Sequence, residues 1–482
     1  MIRVGEAASA PAFPNAAKDA LANAQLRRNV RHATDVIRGK RAGVVGETPD
    51  WQALRDAAHG IKEHTLRHLD FYLETFEANC TRAGGRVHWA RDADDANRIV
   101  ISILEAHGQR ELIKVKTMTS DETRLNDALA AAGIAAYETD LADLIVQLGH
   151  DKPSHIVVPA LHKNRTEICE LFRNAMSLPE LGGEAADLAD AARRFLREKF
   201  LRVSAGFSGA NYLIADTGSV CVVESEGNGR MCLTLPKLLI TMAGVEKVIP
   251  SFVDLEVFLQ LLARSATGER MNPYNSIWTG TASGDGPEEF HVVLLDNGRT
   301  RVLADAASRE TLDCIRCGAC LNACPVYRQT GGHAYGSVYS GPIGAILTPQ
   351  LQALEHSQSL PYASSLCGAC YEVCPVKINI PEILIYLRHR IVDRGDAPLG
   401  ERLGMKAAAA AFSGPAMLSA AHRTARLASR PFERDGYLRG LPGPLAEWLQ
   451  TRDLPALPRE SFGQWWQRRS THEAATKAPD DE

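Results

Sequence analysis

No stretch of this 482-residue chain is both long and apolar enough to suggest a membrane span. The uncharged, alanine-rich run Ala407 to His422 is broken by Gly414-Pro415 and falls short of the ~20 strongly apolar residues a spanning helix needs. The N-terminal stretch carries Glu6 and Asp19 and no continuous apolar core, so it does not read as a secretory leader. Net charge is also scarce. The formal value is −4, too small for an overall field to draw the chain to nucleic acid. No GxGxxG follows a strand pattern and no GxxxxGK[ST] occurs, so nothing supports a nicotinamide, flavin or nucleotide site of the standard kinds. What remains is ordinary globular composition, 45% hydrophobic and 23% charged, with length for about three domains. The expected location is the cytoplasm, with peripheral attachment at a membrane as the alternative.

Cysteine is the residue that is not scarce. Seven of the eleven fall in two motifs, "CIRCGACLNACPVY" from Cys314 to Tyr327 and "SSLCGACYEVCPVK" from Ser364 to Lys377. A disulfide framework belongs to small secreted domains, so ligation of metal is the better reading. Zinc sites use CxxC pairs separated by a longer loop. Three cysteines in a tight tripod followed by CP instead suit a cubane iron–sulfur cluster, whose irons each take one thiolate, with the fourth cysteine of each run passing to the other cluster. On that pattern Cys314, Cys317, Cys320 and Cys374 hold a first cluster, and Cys324, Cys367 and Cys370 a second. Ser364 stands where the second motif lacks its cysteine. The second cluster is therefore 3Fe-4S, or 4Fe-4S with serine or another ligand, or 4Fe-4S with an open iron. Cys80, Cys169, Cys221 and Cys232 are scattered and read as small buried apolar residues.

Four regions are expected: an N-terminal arm (1–50), an α/β region (51–300), the cysteine-rich region (301–395) and an Ala-, Arg- and Pro-rich extension (396–482). Apolar spacing predicts one long amphipathic helix from Trp51 to about Ala83. His64 and His68 lie four apart on it, without the glutamate or third ligand of a metal site, and read as a solvated face. Beyond it, "ELIKVK", "IAAYET", "SHIVVP", "KVIPSF" and "EEFHVVLLD" read as strands. "ANYLIADTGSVCVVES" reads as two strands about a turn at Thr217-Gly218, and "SDETRLNDALAAAG" as a helix capped by Ser120. Strands alternating with helices imply a mainly parallel sheet covered on both faces. From Arg388 to Arg469 there are fourteen Arg or Lys against eight Asp or Glu, a locally basic end that is a solvated face or, alternatively, a docking surface.

Open α/β sheets bind ligands at the carboxyl ends of their strands. The polar residues expected there are Glu224, Glu226, Asn228 and Arg230 in "VVESEGNGR", joined by Lys116, Ser120, His162, Lys163 and Arg165. Such a set can supply the cationic clamp and the base that an anionic 2-hydroxy acid requires. For each residue singly, an ordinary loop or turn role is the competing reading.

The run "CIRCGACLNACPVYRQTGGHAYGSVYSGPIGAIL", followed by "LPYASSLCGACYEVCPVKI", strongly resembles the lactate utilization protein B family. "IKEHTLRHLDFYLETFE", "KTMTSDETRLNDAL" and "ANYLIADTGSV" are similar to that family's LUD domain. The likeness covers nearly the whole chain, and the family also carries serine at the position of Ser364. It implies an α/β LUD domain of the sugar-phosphate isomerase and CoA-transferase type. An α-helical ferredoxin-like two-cluster domain and a helical C-terminal extension are implied to follow. It further implies an iron–sulfur electron-transfer subunit of a system oxidising L-lactate to pyruvate, partnered by a cysteine-rich iron–sulfur protein, a second LUD protein and an unidentified electron acceptor. The alternatives are a chain that itself oxidises lactate in its LUD domain, and a redox-reporting ligand-binding module.

Overall fold

The computed structural model describes residues 11–395, 399–450 and 452–475. Ten strands lie in the α/β region: β1 (Gly85–Ala90), β2 (Glu111–Lys114), β3 (Ala135–Glu138), β4 (Ala205–Ser208), β5 (Tyr212–Ile214), β6 (Ser219–Glu224), β7 (Leu238–Gly244), β8 (Val248–Ile249), β9 (Tyr274–Trp278) and β10 (Glu289–Leu295). Six form a sheet in the order β1-β10-β7-β4-β2-β3, parallel throughout. Every residue of the central strand β7 is buried, as expected for a strand covered on both faces. Its side chains alternate between two cores. Leu238, Ile240 and Met242 face one with Phe207 and Leu295, and Leu239 and Ala243 face the other with Phe76 and Phe290. Burying each such side chain contributes roughly 1.5–3 kcal/mol.

A second sheet, β8-β5-β6-β9, extends toward the cysteines. Its β5–β6 hairpin turns where expected, and Gly218 is required there. Its φ is +68°, and a Cβ would lie 2.1 Å from the Cys80 backbone nitrogen. One face of this sheet joins a third core in which Tyr212, Ile214 and Cys221 pack with Val30, Trp51, Phe258, Leu321 and the cluster-motif cysteines. The N-terminal arm contributes to that core. Its described part is two helices, Phe13–Ala22 and Ala24–Gly46, and the second lies against the first cysteine motif.

Three local expectations are corrected. The helix from Trp51 is two helices, Trp51–Arg67 and Leu69–Arg82, broken at His68 (φ −121°, ψ 37°). The "SDETRLNDALAAAG" helix is also split, into Met118–Glu122 and Leu125–Ala131 about Arg124 at φ +55°. Thr117, not Ser120, accepts the first-turn amide of the earlier piece. "SHIVVP" is not a strand: the His155 ring nitrogen Nδ1 accepts the Val157 and Val158 amides, both at 3.0 Å, which removes them from any ladder.

The described residues through Ile391 make one compact unit and those from Val392 another. Within the second are helices Leu399–Ala411, Pro415–Ser429 and Phe462–Ala475 and a small antiparallel sheet of β11 (Glu433–Arg434), β12 (Tyr437–Leu438) and β13 (Leu454–Pro455). Among the described residues no helix is long and apolar enough to cross a membrane.

Candidate functional site

The two cysteine motifs share one backbone design. Arg316 and Leu366, each just before a CxxC cysteine, hold left-handed φ of 61° and 54°. Gly318 and Gly368, just after it, do so at 73° and 82° and start the short helices Ala319–Ala323 and Ala369–Val373. Left-handed φ is costly outside glycine and concentrates where a site demands it. The helices carry Cys320 and Cys370, end at Cys324 and Cys374, and lie against each other. The repeat extends to the missing cysteine. The Arg316 amide donates to Cys314 Sγ at 3.4 Å, and the Leu366 amide donates to Ser364 Oγ at 3.1 Å. Ser364 therefore holds the position that Cys314 holds in the first motif.

Electrostatic influence sorts the thiols. Cys320 feels Cys314 and Cys317 most, then Cys370 and Cys374. Cys374 in turn feels Cys317 and Cys314. Cys370 feels Cys324 and Cys367. Burial pushes the Cys317 and Cys370 thiols up to about 12, and raises Cys320, Cys324 and Cys374 as well. Cys367 is exposed. Amides of Tyr327 and Ile378 donate to Cys324 Sγ and Cys374 Sγ at 3.5 and 3.4 Å. Thiols that are mostly buried, with amides aimed at sulfur, fit iron–sulfur chemistry: iron would take the place of the thiol protons, and the amides would stabilise thiolate charge. Cys80, Cys169, Cys221 and Cys232 are buried in the apolar cores, as expected.

A buried ionic network backs the first motif. Arg299 reaches both oxygens of Glu122 at 2.9 Å and Glu246 Oε2 at 2.5 Å. Arg316 reaches Glu246 Oε1 at 3.1 Å and stacks on the Tyr339 ring, whose hydroxyl donates to Glu122 at 2.5 Å. Burial pushes Glu246 up, but Arg299 and Arg316 outweigh it and hold the carboxyl at about 2. Burial and Arg316 push the adjacent Lys247 down to about 7. Lys62 Nζ donates to the Glu246 carbonyl. Arg316 thus sets a retained positive charge beside Cys314, with the ammonium groups of Lys247 and Lys62, both lowered by burial, close by.

A second polar group sits at the carboxyl ends of β2 and β3. Lys114, fully buried, donates to Glu138 at 2.5 Å, and Asp121 lies 4.0 Å from it. Lys116 Nζ is buried without a hydrogen-bond partner, as are Glu138 Oε2 and Asp143 Oδ2. Burial raises the Asp143 carboxyl well above its ordinary range against the pull of Lys116, and burial with Asp140 raises Glu226. Glu226 is exposed as a residue, yet its carboxylate turns inward to the Leu141 amide at 3.0 Å. Asn228 donates to Thr139 Oγ1 at 3.1 Å, and Glu224 accepts the Glu226, Gly227 and Arg230 amides. The structure gathers Lys116, Glu226 and Asn228 about this end of the sheet, with Glu224 bracing the turn. It leaves the Arg230 side chain exposed and pairs Arg165 with Glu184 at 3.2 Å in solvent. Ser120 is buried and donates to the Thr117 carbonyl. His162 and Lys163 lie on Asp151 in a separate group.

His155 joins the two regions. Because its Nδ1 accepts two amides, Nε2 carries the proton and donates to Asn322 Oδ1, 3.2 Å away between Cys320 and Cys324. Gly318 admits this segment, since a Cβ there would stand 3.1 Å from Val157 and 3.3 Å from His155. Burial, and then the charge of Lys116, push the His155 ring down to about 3. Sequence reasoning missed His155, Lys114, Glu246, Arg299 and Arg316. The one signal it had was charge inside apolar strand patterns, at Lys114 in "ELIKVK" and Glu246-Lys247 in "AGVEKVIP".

Residues 73–295 match the LUD domain family, 310–378 the 4Fe-4S dicluster domain, and 388–471 the C-terminal region of lactate utilisation protein B. Lactate utilization protein B of Bacillus licheniformis is 42% identical over 96% of this chain and 98% of its own length. The protein of the same name from Bacillus subtilis is 41% identical over 96% and 97%. That of Geobacillus kaustophilus is 42% identical over 89% and 91%. Among solved structures, a DUF162 family protein from Deinococcus radiodurans aligns with 47% of this chain and 98% of its own, at 11% identity and a TM-score of 0.27.

Proposed function

The chain belongs to the lactate utilization protein B family, and from that premise we propose that it is the iron–sulfur electron-transfer subunit of a multi-protein system oxidising L-lactate to pyruvate. Cys314, Cys317, Cys320 and Cys374 would hold one cluster of a ferredoxin-like pair, and Cys324, Cys367 and Cys370, with Ser364 beside them, the other. When bound, such clusters supply one-electron carriers. The observation that supports the reading is the interlocking of the motifs: helices Ala319–Ala323 and Ala369–Val373 lie against each other, Cys374 feels Cys317 and Cys314, and Cys370 feels Cys324. The protein's own residues then have defined work. Arg316 offsets thiolate charge at Cys314, with Lys247 and Lys62 close by, while Trp51, Tyr327 and Leu321 keep water from the buried sulfurs. The partners of this reading are a cysteine-rich iron–sulfur protein, a second LUD protein and an electron acceptor of unidentified class, and its location is the cytoplasm or the membrane periphery.

A second reading makes the α/β domain the site of lactate oxidation. It draws on the unpartnered Lys116 ammonium beside Asp143, a cation and a raised carboxyl of the kinds that hold a carboxylate and take a hydroxyl proton. A redox-reporting ligand-binding module is the third. One experiment separates them: anaerobic purification with the partner proteins and a lactate-to-dye assay in which each protein is omitted in turn. Activity lost on omitting this chain or any partner supports the relay. Activity of this chain alone establishes the second reading, and full activity without it leaves the third. Deletion of the gene should impair growth on L-lactate and spare growth on pyruvate. Undiminished growth on lactate in a strain lacking every other lactate oxidase would overturn the relay.

A further inference from the structure

Away from the cysteines and the Lys116 group, three side chains have the composition and spacing of a metal site. Asp151, His162 and His333 each offer one ligand atom, and the three atoms lie within 4.8 Å of one another. They come from two distant parts of the chain: Asp151 and His162 flank the segment of the α/β region that bends around His155, and His333 lies in the link between the two cysteine motifs.

The nitrogens not needed for a metal are already engaged. His333 Nε2 lies 2.8 Å from the Lys152 carbonyl, which can only accept, so Nε2 carries the proton and Nδ1 keeps its lone pair. His162 Nδ1 lies 2.7 Å from Ser154 Oγ, and its Nε2 lies 3.1 Å from Asp151 Oδ2. Ser154 Oγ can donate to the Pro159 carbonyl at 3.0 Å and then accept the Nδ1 proton, which frees Nε2 without changing the charge of the ring. Burial favours the neutral imidazole at His162. An imidazole whose far nitrogen is back-bonded to a carbonyl or hydroxyl is the usual outer-shell arrangement of a metal-binding histidine. The rings meet edge to face at 4.6 Å between centroids. His333 is exposed, so water can complete the coordination.

We propose that Asp151, His162 and His333 bind a single divalent transition-metal ion of the zinc or ferrous type and thereby fasten the 151–163 segment to the link between the cysteine motifs. Two imidazoles and one carboxylate suit such ions better than calcium or magnesium, which prefer all-oxygen shells. Lys163 Nζ, 2.6 Å from Asp151 Oδ2, is the competing cation that the metal displaces. The same segment is braced from the other side, where Tyr327 Oη donates to the Ser154 carbonyl at 2.7 Å.

The test uses full-length protein with its iron content measured before and after. Zn2+ alone is titrated into the iron-replete protein, and bound zinc is counted by equilibrium dialysis and mass spectrometry. One zinc per chain at unchanged iron is expected. His333→Ala, at an exposed position, should weaken zinc binding by about tenfold or more. Asp151→Asn, which keeps the shape and an oxygen for the Lys152 amide, should do the same. Lys163→Met should tighten binding by removing the competitor. No zinc uptake by iron-replete wild type would overturn the proposal, and so would equal affinity in wild type, His333→Ala and Asp151→Asn.

Discussion

At the scale of single residues, charge beside sulfur gives the sharpest expectations. The Arg316 side chain is largely buried, its guanidinium shared between Glu246 and the Tyr339 face, and its amide is on Cys314 Sγ. Reducing a cluster adds negative charge, so removing a buried cation beside it disfavours reduction. Arg316→Gln should therefore lower the midpoint potential of the cluster assigned to Cys314 by tens of mV, on the order of a tenfold change in its one-electron equilibrium at ~59 mV. Arg316→Lys should fall between the two. A redox titration followed by electron paramagnetic resonance measures this, and an unchanged potential in Arg316→Gln would remove the proposed role. Ser364 gives a second expectation. It receives the same amide as Cys314 does, so its oxygen is placed where a fourth thiol would be. Oxygen matches iron less well than sulfur, so the cluster assigned to Cys324, Cys367 and Cys370 should lose an iron in air and give a 3Fe signal. Ser364→Cys should suppress that signal. Equal 3Fe yields from the two proteins would mean that residue 364 does not contact the cluster.

At the scale of elements, the segment 154–159 shows what a sequence displays and what it hides. The cysteine loops were legible because their chemistry is local: spacings of two and three residues bring thiols together whatever the rest of the chain does. The alternation of strands and helices was legible for the same reason, since β2 and β10 need only their own apolar pattern. "SHIVVP" has that pattern too, but His155 takes the amides a ladder would need, and nothing local in the sequence announces it. Lys116, Glu226 and Asn228 were found because strand ends are predictable places for polar residues. Arg299, Glu246 and Arg316 were not, because their pairing joins positions 53 and 70 residues apart. The misread segment carries its own test. His155 is held neutral with a folded value of about 3, far below the 6.5 expected when unfolded. Its unfolded form therefore binds protons that the folded form refuses. This contribution to stability is fully present above pH 6.5, is lost progressively as pH falls below it, and levels off near pH 3. At pH 5.5 the loss is about 1.4 kcal/mol. His155→Gln cannot titrate, so between pH 7.5 and 5.5 it should lose less stability than wild type by about that amount in urea unfolding. Equal losses would show that His155 is not held neutral.

At the scale of the whole molecule, the cysteine motifs are less an appended domain than part of a shared interior. Family matches stop at residue 295 and resume at 310, yet the described residues through Ile391 pack as one unit. The core around the thiols takes Val30 and Trp51 from N-terminal helices and Phe258, Leu261 and Leu262 from Leu255–Ala266 of the α/β region. Arg55 extends from Trp51–Arg67 to the Cys374 carbonyl at 2.8 Å, and Arg41 from Ala24–Gly46 to the Val373 carbonyl at 3.0 Å. The six-stranded sheet, in contrast, keeps its own two cores around Phe290 and Phe207. Metal binding energy is folding energy for whatever the ligands hold together. Removing iron anaerobically with a chelator should therefore act in a graded way. Amide protection in Ala24–Gly46, Trp51–Arg67 and Leu255–Ala266 should fall by about tenfold or more, because their packing partners carry the ligands, while β7 and β10 stay protected by the sheet's own cores. Hydrogen exchange read by mass spectrometry resolves these segments separately. If the three helices keep full protection in iron-free protein, the thiol core is stable without its metal and the cysteine region is a separable module. If β7 and β10 open along with them, the sheet's cores depend on the thiol core, and the unit unfolds as a single cooperative body.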